Sequence, residues 1–189
     1  MRALRKLQPA RGLSLVTLPV PQPGPTDVLV RIRAAGVCGT DYHIYAWDAW
    51  SQRRTKPPFT VGHEFVGEIA AVGAAIRHVA IGQRVSGEGH IVCGRCYFCR
   101  TGQGHICETV KIIGVDRDGC FAEYMVFPAE NLWPVPESIP DRYAAIFDPL
   151  GNAMHTVMAA RIAGASVLVM GAGAIGIFAV GIAKAVGAA

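Results

Sequence analysis

The chain has 189 residues, of which 51% are hydrophobic and 17% charged, a composition that is typical of globular proteins and excludes intrinsic disorder. This length fits one domain, or one domain with part of a second. The net charge is +4, but the basic side chains, Lys6 among them, are scattered and do not form a stripe with interleaved aromatic residues. A nucleic-acid surface is therefore disfavoured, and we expect these side chains to lie on a solvated surface.

The longest apolar tract, residues 162–189, is rich in Gly and Ala and is interrupted by Lys184, so we do not expect it to span a membrane. The N-terminus has no charged-then-apolar leader with a small-residue cleavage site. We therefore expect a cytoplasmic protein whose thiols are reduced.

Up to about Pro140, short apolar runs that are separated by glycines predict many short strands in a compact, barrel-like β domain. Residues 28–34 alternate apolar and basic side chains, which is the pattern of a half-buried strand. Further strands are predicted over residues 61–72, after the turn at 82–85, and over 121–127. Between the first two strands lies an aromatic, mostly polar segment that ends at two prolines.

The pattern then changes to a predicted helix over roughly residues 152–162, an apolar strand over 166–170 and a second helix over about 174–186. The turn between this strand and the second helix carries Gly-x-Gly-x-x-Gly, which in that context predicts dinucleotide binding. The candidate cofactor-binding residues are Gly171, Gly173, Ile175 and Gly176. The alternative is a glycine-rich joint without a ligand. The acidic residue expected about 20 residues further on, which would hold the ribose, is absent from the chain.

Four cysteines lie close together in the chain at spacings that suit tetrahedral zinc: Cys93, Cys96, Cys99 and Cys107. Disulfides or unrelated buried thiols are the alternatives, and a reducing compartment favours the metal. We predict one structural zinc ion here. The remaining thiol outside the metal candidates, Cys120, is expected to be a buried strand residue.

A second set of potential ligands lies elsewhere: Cys38, His63 and Glu64 at glycine-flanked strand ends, and Asp148 where the β pattern gives way to helices. Three ligands of nitrogen, sulfur and oxygen type, with one position left open, describe a catalytic zinc site. Each residue also has an ordinary structural explanation. Cys38 would serve as a small buried group, His63 as a hydrogen-bonded core histidine and Glu64 as a strand-end charge.

The pattern from Gly62 through His63 and Glu64 to Gly67 and Gly73 resembles the signature of zinc-dependent medium-chain dehydrogenases. The residues 38–41, the four cysteines and the late glycine motif follow in the family's order, and the resemblance covers essentially all 189 residues. It implies a mixed α+β fold, with a chaperonin-10-like catalytic β-barrel domain over residues 1–147. The first βα unit of a Rossmann NAD-binding domain would occupy 148–189. Members of the family are longer, so we expect this chain to be the N-terminal part of one, with turnover that is impaired when the chain is isolated.

The resemblance also implies roles for individual residues. Cys38, His63 and Asp148 would hold a catalytic zinc, with Glu64 as a further ligand or a supporting group. Thr40 and His43 would relay a proton, and His90 would shape the substrate pocket. Without the resemblance, His43 is equally an exposed loop histidine and His90 a polar turn residue. Two zinc ions per chain, NAD and a homotetramer are expected.

Three further stretches, residues 43–52, 86–90 and 146–153, resemble the branch of the family that oxidises L-threonine at C3 to 2-amino-3-oxobutanoate. The expected partner is thus a small-molecule substrate, L-threonine, with neither nucleic acid nor membrane. Within the family, a polyol or simple alcohol is the alternative substrate. A different alternative is a catalytically silent zinc-binding module. A zinc ribbon for nucleic acid is disfavoured because its two separated Cys-x-x-Cys pairs are missing.

Overall fold

A computed structural model describes residues 1–189 in full, in two units, Met1–Ala145 and Ile146–Ala189. The strands of the first unit are β1 (Arg2–Lys6), β2 (Ser14–Thr17), β3 (Asp27–Ala35), β4 (Phe59–Thr60), β5 (Phe65–Val72), β6 (Arg84–Gly87), β7 (His90–Ile91), β8 (Lys111–Ile112), β9 (Tyr124–Pro128) and β10 (Leu132–Pro134). Its helices are α1 (Gly39–Ala46), α2 (Ala49–Arg54), α3 (Tyr97–Arg100) and α4 (Asp141–Ala144), with 3-10 turns at Gly104–Ile106 and Ala129–Asn131. The second unit contains α5 (Phe147–Met158) and α6 (Ala174–Ala185).

The strands of the first unit form three antiparallel sheets. The largest has the order β10-β6-β5-β3-β9, the second has the order β2-β1-β4, and the third pairs β7 with β8. The mixed α and β class is as predicted. The strands, however, lie in separate sheets and do not close into one barrel.

The main core lies on one face of the five-stranded sheet, where Phe65 and Phe127 meet edge to face with ring centroids 5.1 Å apart. The alternation predicted for residues 28–34 is confirmed in β3: Val28 and Val30 are fully buried. Arg31 and Arg33 face outward and both pair with Glu68 on β5. β3 is thus an apolar-in, polar-out strand of the central sheet.

The segment before Pro57 is helical, which the sequence analysis did not predict. Helix α1 is anchored by Ile44, which is fully buried in a second core cluster with Phe59 and Val61. Trp47 ends α1 in the left-handed conformation (φ 57°), and Asp48 then caps α2. The side-chain caps, rather than an amphipathic pattern, define these two short helices.

Two predicted strands begin later than expected. The strand predicted over 61–72 starts at Phe65, because Gly62 adopts a positive φ of 94° and turns the chain. The strand predicted over 121–127 is β9, Tyr124–Pro128. Cys120 is buried as expected, but it lies in a bend before β9 rather than in a strand.

Lys6 corrects the expectation that the basic side chains lie on a solvated surface, because it is fully buried. Its ammonium group donates to the backbone carbonyls of Ala10 and Gly12, the latter at 3.2 Å, and reaches that of Tyr45 at 3.5 Å. It also lies 4.8 Å from the ring centroid of Trp47. A buried charge that is solvated by carbonyls thus ties β1 to the end of α1.

In the second unit, α5 and α6 pack through Ala153, Val157, Ala179 and Ala183. The helix predicted over 174–186 is confirmed as α6. The strand predicted over 166–170 does not form, because no other strand of this unit lies beside it, and Leu168 and Met170 are 84% and 90% exposed. None of the helices has the length and apolarity that a membrane crossing requires.

Candidate metal centres

The four-cysteine cluster has the geometry of a tetrahedral site. The sulfur atoms of Cys93, Cys96, Cys99 and Cys107 all lie within 4.8 Å of one another. Individual pairs are 3.5 Å (Cys96–Cys99) and 4.0 Å (Cys93–Cys99) apart. Zn–S bonds of about 2.3 Å in a tetrahedron require sulfur separations of about 3.8 Å, whereas a disulfide requires about 2.05 Å. All four thiols are free, and their spacing fits zinc.

Backbone amides support this cluster locally. The N–H of Cys93 donates to the sulfur of Cys107 at 3.3 Å, and the N–H of Cys96 donates to the sulfur of Cys93 at 3.4 Å. The backbone N–H of Arg95 is the main cause that lowers the pKa of Cys93 to about 6, while burial raises the pKa of Cys99 to about 12. Such amides stabilise thiolates, which are the form in which cysteine binds zinc.

A second cluster joins Cys38, His63 and Glu64, whose ligand atoms also lie within 4.8 Å of one another. Cys38 directly precedes α1, and the other two residues lie between β4 and β5. His63 and Glu64 are both buried, and a hydrogen bond from His63 is the main cause that lowers the pKa of Cys38. One sulfur, one nitrogen and one carboxylate oxygen that converge in a buried site fit a catalytic zinc.

Asp41 is a buried residue of this site that the sequence analysis missed. One carboxylate oxygen accepts from the backbone N–H of Cys38 at 2.8 Å, and the other lies 3.6 Å from Nδ1 of His63. This separation is longer than a hydrogen bond, so the carboxylate acts on the imidazole of His63 through its charge. The spacing Cys38-x-x-Asp41 could have revealed this residue, because an acidic residue at the third position of a helix commonly accepts a hydrogen bond from the backbone N–H of the capping residue.

Two neighbours pack closely against Glu64. A Cβ at Gly36 would overlap the Glu64 carboxylate, so any larger residue there would displace this carboxylate from its position. The buried thiol of Cys120 donates to the backbone carbonyl of Glu64 at 3.4 Å. These contacts hold Glu64 within the cluster.

The predicted relay residues lie on α1. Thr40 hydrogen bonds to Cys38 through both its backbone and its side chain, which contributes to the lowered pKa of that thiol. His43 lies one turn further along the helix and is 52% exposed. Its Nδ1 is 2.5 Å from a carboxylate oxygen of Asp48. Helix α1 thus begins beside the metal-ligand candidates, and His43, one turn further along, is exposed to solvent.

His90 begins β7, and its Nδ1 lies 2.6 Å from the Glu88 carboxylate, which also accepts from the His90 backbone N–H at 2.8 Å. Asp148 belongs to the second unit, in the first turn of α5, where its side chain accepts from Asn152 at 3.3 Å. The substrate role of His90 and the ligand role of Asp148 both stay predictions.

The glycine motif lies at the N-terminus of α6. Gly171 has a positive φ of 110°, and Gly173, the capping residue, faces open space where its Cβ would stand. A Cβ at Gly176 would overlap the carbonyl of Gly171, so this third glycine is needed for the turn to close on the helix. Ile175 is exposed beside them. An open helix N-terminus fits a pyrophosphate, and the cofactor role of these residues stays a prediction.

The alcohol dehydrogenase GroES-like domain family matches residues 24–137 of the chain. L-threonine 3-dehydrogenase from Stenotrophomonas maltophilia (strain K279a) is 55% identical over 188 residues, covering 100% of this chain and 55% of the relative. A short chain alcohol dehydrogenase (rspB) from E. coli CFT073, complexed with NADH, superposes with a TM-score of 0.90 at 35% identity, over 98% of this chain and 53% of the other. Alcohol dehydrogenase TADH from Thermus sp. ATN1 superposes with a TM-score of 0.89 at 32% identity. The superposition covers 100% of this chain and 56% of the Thermus enzyme.

The chain spans about half the length of each of these relatives. The matching family model covers most of the chain, and both the sequence relative and the solved structures are dehydrogenases. This chain therefore belongs to the zinc-dependent medium-chain dehydrogenases, through their alcohol dehydrogenase GroES-like domain.

Proposed function

We propose that the chain carries the zinc centre of an NAD-dependent dehydrogenase that oxidises L-threonine at C3 to 2-amino-3-oxobutanoate. The observation that carries the proposal is the convergence of Cys38, His63 and Glu64 within 4.8 Å, next to the Thr40 contacts with Cys38. The threonine substrate is supported by the 55% identity to an L-threonine 3-dehydrogenase.

Cys38 and His63 would hold the catalytic ion, together with Asp148 or Glu64. The ion, when bound, supplies a Lewis acid that lowers the pKa of the substrate hydroxyl. The nicotinamide ring of NAD accepts the hydride, and the protein contributes position and charge. The cysteine lobe, residues 93–107, would hold a second, structural zinc.

The residues of the chain itself would bind substrate and move the proton. Thr40, which contacts Cys38, would take the proton of the substrate hydroxyl through its own hydroxyl group. His43 lies three residues further along α1, on the same side of the helix, and its exposure allows it to pass the proton to solvent. His90, held by Glu88, would shape the substrate pocket.

In the second unit, the left-handed turn at Gly171 and the open N-terminus of α6 at Gly173 would receive the pyrophosphate of NAD. A homotetramer and a cytoplasmic location, where the thiols stay reduced, complete the proposal.

The substrate is tested by assaying L-threonine, sorbitol and ethanol side by side with NAD⁺ and with NADP⁺, after zinc loading. We expect NADH formation with threonine to exceed that with the other two substrates. Equal rates, or a preference for ethanol or sorbitol, would reject threonine as the substrate. The second candidate, an alcohol dehydrogenase, is favoured by the likeness to the Thermus enzyme, and ethanol oxidation would support it.

A silent zinc-binding module is separated from an enzyme by titrating the chain with NADH and following the fluorescence of the nicotinamide. Micromolar binding that is weakened by Gly173→Val, which places a bulky side chain at the open N-terminus of α6, supports the cofactor site. Absence of NADH binding would support the silent module.

A further inference from the structure

The turn between α1 and α2 brings the carboxylate of Asp48 back onto His43. Trp47, in its left-handed conformation, donates its backbone N–H to the carbonyl of His43 at 2.9 Å and reverses the chain. Asp48 therefore begins α2 next to the last turn of α1.

The two oxygens of the Asp48 carboxylate have separate partners. Oδ1 accepts from the backbone N–H groups of Trp50 at 3.1 Å and Ser51 at 3.0 Å, which makes it the cap of α2. Oδ2 lies 2.5 Å from Nδ1 of His43. Since the cap fixes one oxygen, the other is held in place against the imidazole without a further contact.

The chemistry of this contact selects one histidine tautomer. The N–H of Ser51, followed by the hydrogen bond from His43, lowers the pKa of Asp48, so the carboxylate is ionised at neutral pH. An ionised carboxylate only accepts hydrogen bonds, so Nδ1 of His43 must carry the hydrogen. Nε2 is then the nitrogen with a free lone pair, and it is the atom able to take up a proton.

We propose that Asp48 is a positioning residue, which holds His43 as its Nδ1–H tautomer and so presents Nε2 as the proton acceptor of the relay. This inference rests on the proposed function, because the relay is part of it. The tilted ring of Trp50, with its centroid 6.0 Å from that of His43, limits the rotation of the imidazole. Asp48 itself contacts only His43 and the α2 cap among the groups described, so it acts through the histidine.

The test is Asp48→Ser. A serine hydroxyl caps helices as well as aspartate does, but its single oxygen is then engaged by α2, so His43 loses its acceptor. Histidine-selective ¹⁵N labelling and long-range ¹H–¹⁵N NMR, at a pH where the rings are neutral, report the tautomer of each of the six histidines. His43→Gln identifies the His43 signals, and the exposed His78 serves as the internal reference.

We expect Nδ1–H for His43 in the unmodified chain and a shift towards Nε2–H in Asp48→Ser, with His78 unchanged and the thermal midpoint retained. Asp48→Asn keeps the α2 cap through its single amide oxygen, and its NH2 group then faces Nδ1 as a donor, so it should also shift His43 towards Nε2–H. An Nε2–H tautomer in the unmodified chain, or no change in Asp48→Ser, overturns the proposal.

The threonine assay gives the second measurement. Asp48→Ser should lower kcat by about tenfold, a part of what a general base contributes, with KM within about twofold. A tautomer change without a change in kcat would show that the contact does not serve the reaction, and this also overturns the proposal. If the unmodified protein oxidises no threonine, the proposed function fails, while the NMR result still decides the tautomer.

Discussion

The two candidate metal centres of the first unit are built in opposite ways. The cysteine lobe draws its four ligands from one stretch of 15 residues, 93–107, and three of its four cysteines are only half-buried. The second centre, which joins Cys38, His63 and Glu64, depends on the α1 N-terminus meeting the β4–β5 connection. The first centre is encoded locally, whereas the second is a product of the surrounding fold, so we expect only the first to depend on an ion for its structure.

This difference suggests a structural role for the cysteine lobe and a catalytic role for the second centre. In the lobe, every ligand is a thiol, and backbone amides donate to two of them, Cys107 and Cys93, which suits a closed site of four equal ligands. In the second centre, the ligands differ, and Asp41 and Thr40 surround them. Loss of the ion should therefore cost stability in the lobe and activity in the second centre.

The largest expected effect is that of Cys99→Ser, because it removes a ligand from the centre that depends on its ion. We expect the zinc content to fall by about one ion per chain and the free energy of unfolding by at least about 4 kcal/mol. Elemental analysis and urea unfolding measure the two quantities. The control is Thr101→Ala, an exposed residue of the lobe that is not among the candidate ligands, which should leave the zinc content unchanged. Unaltered zinc in Cys99→Ser would refute a structural ion.

The matching change in the second centre is Cys38→Ser. It should also remove about one zinc ion and abolish threonine oxidation, but change the free energy of unfolding by only about 1 kcal/mol, since the strands and α1 hold this site together. The same two measurements apply. A stability loss as large as that of Cys99→Ser would erase the distinction between the centres, and an unchanged metal count would reject the catalytic assignment.

A smaller effect is expected from Asp41→Asn, which keeps the shape of the side chain but removes its charge behind His63. The affinity of the second centre for zinc should fall about 10- to 100-fold, as is usual when the partner of a metal-bound histidine is changed. Competition with a chromogenic chelator measures the affinity, and the lobe ion should be unaffected. The exposed Glu130→Gln is the control for a lost negative charge.

The smallest effect on stability is expected from an ion pair that links α2 to the segment after the cysteine lobe. Arg54, at the end of α2, binds Asp116, which follows β8 beyond the lobe; one of the two contacts is 2.6 Å. This guanidinium is the main cause that holds the pKa of Asp116 below its ordinary value. The stabilisation is therefore complete above about pH 4, the ordinary range of an aspartate, and is lost as the pH falls through the lower pKa of the folded protein.

We expect Arg54→Gln to reduce the free energy of unfolding by about 1 kcal/mol or less at pH 6, because the arginine is partly exposed. The difference from the unmodified chain should shrink below about pH 4 and vanish once the pH has fallen below the lowered pKa of Asp116 in the folded protein. Unfolding curves at several pH values measure this, with Arg53→Gln as the control at an exposed neighbour. A difference that persists in acid would show that the pair does not stabilise the fold.

Sequence reasoning found the features that are encoded locally. The spacing of Cys93, Cys96 and Cys99 and the alternation in β3 both translate directly into geometry, because neighbouring residues decide them. The proximity of Cys38 and His63 was expected chiefly from the family resemblance, because it depends on how segments that are distant in the sequence pack together. Asp41 was missed for the same reason.

The failures have physical causes as well. Residues 166–170 are apolar and suit a strand, yet a strand needs a neighbour, and the second unit offers none. The short helices α1 and α2 lack a clear apolar stripe and are defined by the caps at Asp41 and Asp48. Lys6 was expected at the surface because nothing nearby in the sequence reveals the carbonyls that surround it.

Because Lys6 is buried, its chemical modification can report how often β1 separates from the end of α1. The other three lysines, Lys56, Lys111 and Lys184, are exposed, so an amine-reactive reagent should modify them in the native protein while sparing Lys6. Acylation of Lys6 requires β1 to leave the end of α1. The extent of its modification, measured by peptide mass spectrometry, therefore gives the fraction of molecules in which β1 has separated from the rest of the first unit.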